Sequence, residues 1–190
     1  MRTALNGYAA LLAAAAEIDG FDRPSGCAGW TVADVADHVI TVTEKFTRFA
    51  AGGTDTPRSA PVRIDPRDHR YAFDRAAQAS LAAWTTCDPG RTCRLPFGTF
   101  SAGEAAGINM MDLLVHGWDV AVGIGLSYRM PEPLLPTAIT TARRLVTPDS
   151  VARGLYSTPI ATIGREGQAL LLAITGRQPL GQYERQKGSE

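Results

Sequence analysis

Net charge is the first thing this sequence does without. Its 19 basic and 19 acidic residues cancel, and no basic block stands anywhere in the 190 residues. Nucleic-acid binding needs a concentrated positive surface that displaces counterions, so no such partner is expected. Cysteine is scarce too. Cys27, Cys87 and Cys93 are the three, too few for a disulfide framework and not spaced as C-x-x-C. Reduced thiols are the expectation, although the five residues around Pro89-Gly90 leave room for a Cys87–Cys93 bridge. Long apolar runs are missing as well. The nearest, YAALLAAAAEI (8–18), is too short to span a bilayer and closes on Glu17 and Asp19. With only Arg2 before it, this run reads as a helix rather than a signal sequence, so no membrane partner and a cytoplasmic location are expected. There is no internal repeat and no low-complexity segment.

What is present is apolar residue in quantity: 45% of the chain is hydrophobic, enough for one sizeable core. A single domain over residues 1–180 is expected, followed by a polar tail at 181–190. Helical signals dominate. Residues 2–18 are rich in Ala and Leu. Thr31 and Asp34 make a capping box with Asp in place of Glu, and Val32, Val35, Val39, Val42, Phe46 and Phe49 follow at helical spacing. A third helix is predicted from about Arg67 to Thr86, with Tyr71, Ala72, Arg75, Ala79, Ala82 and Ala83 on one face. TCRLPFGTF (92–100) reads as a short hairpin or extended connector. Ser101 and Glu104 form a second capping box, opening a long helix to Gly123 or Gly125. A fifth helix begins at Glu132 or Leu135, and a last one lies in 165–177 with Gly176 as its stop. The fold class is all-α: a four-helix core with C-terminal helices packed on it.

The long helix carries a polar stripe. With Met111 at 0° on a helical wheel, Gly107, Ile108, Leu114, Val115, Trp118 and Val122 form an apolar face, while Asn109, Asp112, His116 and Asp119 fall between roughly 80° and 160°. Leu113 and Val120 border the stripe on its far side. Such a stripe is either a narrow solvent face or a polar site inside the bundle. Asp112 and His116, at i and i+4, point from one face with Cβ atoms roughly 6 Å apart. The second helix offers His38 at the edge of its apolar face. The only other histidine, His69, sits in the charged run DPRDHR (65–70), which looks solvated. Two histidines and a carboxylate suit a divalent ion, zinc first, with nickel, iron or manganese as alternatives, and leave a position for water or substrate. Asp119, one turn beyond His116, is either a partner for a ligand imidazole or a surface carboxylate near a helix end.

Four segments together resemble the DinB-like superfamily, in its branch of mycothiol-dependent maleylpyruvate isomerase N-terminal domains: GWTVADVADHV (29–39), LPFGTFSAGEA (95–105), MDLLVHGWDVAVGIG (111–125) and LLLAITGRQP (170–179). The resemblance implies a DinB-like four-helix bundle with a short extended connector and additional C-terminal helices. It implies metal ligation by a His of the second helix and an acid-x-x-x-His pair of a later one, here His38, Asp112 and His116. The isomerase has Glu where this chain has Asp112, one methylene shorter. The resemblance also implies a small-molecule substrate and a low-molecular-weight thiol such as mycothiol as cosubstrate, in an S-transferase or isomerase reaction on a small electrophilic metabolite. Arg177 could receive an anionic group of cofactor or substrate, or simply complement a helix C-terminus. The same residues would serve a thiol-independent lyase, cyclase or hydrolase acting on a small secondary metabolite. They would also serve a non-catalytic small-molecule-binding or resistance protein. A homodimer is compatible with the apolar faces of so small a bundle.

Overall fold

Thr31 and Ser101 place the two helices that matter most. In the computed structural model, which describes residues 1–54 and 62–178, the Thr31 hydroxyl accepts from the Asp34 N–H, and the Asp34 carboxylate accepts from the Thr31 N–H. Ser101 and Glu104 do the same at the second site. Each reciprocal pair satisfies two N–H groups that a helix start leaves without intrahelical partners. The results are α2 (Val32–Ala50) and α4 (Ala102–Gly123). They join α1 (Arg2–Glu17) and α3 (His69–Thr86), the latter entered through a single 3-10 turn at Pro66–Asp68. The expected connector is a two-stranded antiparallel hairpin, β1 (Thr92–Leu95) and β2 (Gly98–Ser101), with Thr92 opposite Ser101 and Leu95 opposite Gly98.

The described chain forms two compact units, Met1–Pro131 and Glu132 onward. In the first, neighbouring helices pack in the order α1, α4, α2, α3, so that α4 lies against both α1 and α2. Tyr8, Leu12, Val35, Val39, Ile40, Phe73, Leu113 and Leu114 fill the interior. Each large side chain buried there contributes about 1.5–3 kcal/mol relative to exposure. In the second unit α5 (Leu135–Leu145) packs on α7 (Gly167–Ile174), with α6 (Pro148–Ala152) between them in sequence. The Ile160 N–H donates to the Ala173 carbonyl, and Gly176 ends α7 at φ +77°. No described helix is long and apolar enough to cross a membrane. The polar tail expected at 181–190 lies outside the described residues.

Two expectations need correction, and one element was not foreseen. The buried face of α3 is His69, Phe73, Ala76 and Ser80, and Tyr71 is 68% exposed. Alanine fits either face of a helix, so an Ala-rich segment gives little contrast, and Phe73 alone fixes which side turns inward. α2 buries more than its Val/Phe line: Ala36, Asp37, Ile40, Thr41, Thr43 and Lys45 are buried, while Val42 is only half-buried. α6 was not expected from periodicity; a Thr147–Ser150 capping box followed by Pro148 at its first position starts this five-residue helix. The cysteines are free, and the buried Cys93 thiol donates to the Phe49 carbonyl at 3.4 Å.

Candidate metal centre

α4 is buried on almost every side, and its polar stripe is buried with it. Asn109 and Asp119 are 0% exposed, as are the flanking Leu113 and Val120. A solvent face is therefore ruled out, and the stripe is an interior polar site. Asn109 accepts from Ser80 Oγ and Trp84 Nε1, both at 3.4 Å, and so ties α4 to α3. One turn on, Asp112 Oδ1 lies 3.5 Å from His38 Nε2 and 3.6 Å from His116 Nε2. One ligand atom from each of His38, Asp112 and His116 lies within 4.8 Å of the other two. α2 supplies the first of these residues and α4 the others.

His116 is braced from behind. Its Nδ1 lies 2.9 Å from Asp119 Oδ2. An ionised carboxylate only accepts, so in the neutral ring the proton sits on Nδ1 and donates to Asp119. The Nε2 lone pair then faces Asp112 and His38, which is the carboxylate–histidine arrangement that orients metal ligands. Two imidazoles stand at the site with their centroids 4.8 Å apart, and the Trp30 indole touches both. It lies edge-on to His38 at 5.2 Å and parallel to His116 within 2° at 6.1 Å.

The donor set fits a divalent ion. Neutral imidazole nitrogens and one carboxylate are ligands that zinc and its first-row neighbours accept. Tetrahedral bonds of about 2.1 Å place donors about 3.4 Å apart, close to the 3.5 and 3.6 Å edges at Asp112. Tyr8, fully buried, completes the electrostatics. Burial first, and then the charges of Asp112, Asp119 and Asp37, push its phenol well above the usual range, so it stays protonated and donates to the Val35 carbonyl.

His69 does not belong to this cluster, and it is not solvated as its charged neighbours suggest. It is 0% exposed. Its Nε2 meets Asp37 Oδ1 at 2.8 Å, and its ring packs on Phe21. Asp37 also accepts from the Ile64 N–H at 3.1 Å, so this buried pair fastens residues 64 and 69 to α2. Sequence reasoning missed Asp37 and the contacts of Trp30; the only available signal was that both flank His38 in the segment GWTVADVADHV. Arg177 belongs to the second unit, where it is buried and donates from Nη1 to the Thr175 carbonyl at 2.8 Å.

Comparison with known proteins agrees with this architecture. Two uncharacterized proteins of Mycobacterium tuberculosis, from different strains, are each 30% identical over 148 residues, covering 76% of this chain and 76% of their own. Two crystal structures of the mycothiol-dependent maleylpyruvate isomerase, one carrying a histidine-to-alanine substitution, share the fold. The substituted form aligns with a TM-score of 0.61 at 13% identity, and the other with 0.57 at 15%. Each alignment covers 80% of this chain and 69% of the isomerase. The family model described as the mycothiol maleylpyruvate isomerase N-terminal domain matches residues 2–121, which run from α1 into the last turn of α4 and include every residue of the candidate centre. The chain belongs to the mycothiol maleylpyruvate isomerase N-terminal domain family.

Proposed function

We propose that the chain is a divalent-metal-dependent enzyme of the low-molecular-weight-thiol S-transferase or isomerase type, acting on a small electrophilic metabolite with a mycothiol-like cosubstrate. The observation that carries this reading is the convergence of His38, Asp112 and His116 on one point inside the bundle. Bound there, a dication would favour thiolate over thiol at neutral pH and polarise an electrophile. Zinc heads the candidates, with nickel, iron and manganese behind it.

The chain's own residues have separate tasks in this reading. His38 and His116 offer neutral nitrogens, and Asp112 offsets part of the ion's charge. Asp119 keeps the His116 proton on Nδ1, so that Nε2 remains a donor toward the centre. Three protein ligands leave a coordination position for water or thiol. The thiol is assigned by kinship: the two crystal structures that share the fold above are of a mycothiol-dependent enzyme. Arg177, buried in the second unit, carries a permanent charge of the kind that suits an anionic group.

The test is metal analysis of protein purified without chelator or immobilised nickel. About one divalent ion per chain is expected, lost in His116→Ala while helical circular dichroism persists. Full metal retention in that variant would sink the assignment. Turnover of an electrophile that is unchanged by omitting thiol would retain the metal and remove the thiol.

A further inference from the structure

We propose that Trp30 is a positioning residue of this centre: one indole that packs on both imidazole ligands and fixes their ring orientation before an ion arrives. The inference rests on the metal reading above. His38 needs such a contact. Its Nε2 stands 3.5 Å from Asp112, at the far limit of hydrogen bonding, and the torsion that turns an imidazole is broad. The edge-on contact with Trp30 at 5.2 Å and the one with His116 at 4.8 Å are what hold the ring.

Trp30 is itself held by a short turn. Its N–H donates to the Cys27 carbonyl at 3.0 Å, and its carbonyl accepts from the Ser25 N–H and Ser25 Oγ, both at 2.9 Å. The same turn sits flush on α4. The Gly26 N–H donates to the Asp119 carbonyl at 2.8 Å, and a Cβ at Gly26 would lie 2.8 Å from the Trp118 ring and 3.0 Å from Asp119 Oδ1. His116 thus lies between the Asp119 carboxylate of its own helix and the Trp30 ring, and the turn that carries Trp30 packs directly on Asp119. Ligands frozen in advance lose less freedom when an ion binds, so affinity rises.

The chain has three histidines, so each ring can be followed by NMR in metal-free protein. In Trp30→Leu, the carbon-bound ring protons of His38 and His116 are expected to move toward free-imidazole positions as the indole ring current is lost. His69 holds still as the internal control. Cobalt(II) affinity is expected to fall by about 10–100-fold and to recover largely in Trp30→Phe, which restores an aromatic face. Unmoved His38 and His116 signals, or undiminished cobalt affinity in Trp30→Leu, would overturn the proposal and leave the metal reading intact. A wild-type protein with no cobalt affinity would overturn both. If the leucine variant does not fold, Trp30→Phe decides: its smaller ring must shift both ligand rings and spare His69, and unmoved signals reject the role.

Discussion

Asp119 and Asp37 are both buried carboxylates facing a histidine, yet substitution should expose different roles. Asp119→Asn places an amide that donates or accepts beside His116, so the proton is no longer held on Nδ1. Metal affinity is expected to drop by about 10–100-fold, read by competitive chelator titration, with little change in melting. His69→Ala removes one partner of a carboxylate that is 2% exposed and leaves it the Ile64 N–H and the Arg63 guanidinium. Breaking a buried pair from one side costs about 3 kcal/mol, so the loss should appear in urea unfolding while metal stoichiometry holds. The three candidate ligands were legible because each lies at helical spacing beside an apolar face. The Asp37–His69 pair was not. His69 lies between Asp68 and Arg70, and a step of about 100° along the helix decides which of such neighbours turns inward. Local composition carries no sign of that rotation.

At the level of elements, the capping boxes were the most readable signals, because capping is local chemistry that packing rarely overrides. Asp34 adds a pH dependence. The hydrogen bond from the Thr31 N–H, followed by the Arg63 guanidinium and the Thr31 hydroxyl, holds its carboxyl below the usual range. A carboxyl lowered in the folded state contributes stability above its unfolded pKa, and that contribution disappears as pH falls through the lowered folded value. Asp34→Ala should therefore cost about 1 kcal/mol at neutral pH, and wild type and variant should converge in acid when their denaturant midpoints are compared. Close approach of elements was not readable in the same way. A Cβ at Gly123 would stand 2.5 Å from Val32 Cγ2 and 2.8 Å from the Pro24 carbonyl oxygen. Gly123→Ala is expected to cost about 1–3 kcal/mol, measured as a lowered denaturant midpoint. Nothing in the local sequence separates this glycine from Gly125, where a Cβ would meet open space. Likewise, α3 showed its existence through spacing and stops but hid its inward face among alanines.

Across the whole molecule, the candidate centre is confined to one unit. His38, Asp112, His116, Asp119 and Trp30 all precede Pro131, the last residue of the first unit. A chain ending at Pro131 should keep its helical spectrum and its metal stoichiometry; a protein that folds but takes up no ion would show that residues beyond 131 complete the centre. The division of labour inside that unit is uneven. Asp112, His116 and Asp119 fall within eight consecutive residues of α4, and the 2.9 Å bond between His116 and Asp119 is made within the helix. Two candidate ligands and their brace therefore travel as one cassette, and only His38 has to be met by long-range folding. Such a cassette is portable. Moved into another buried helix, it would bring most of a metal site with it and ask the new host for a single imidazole.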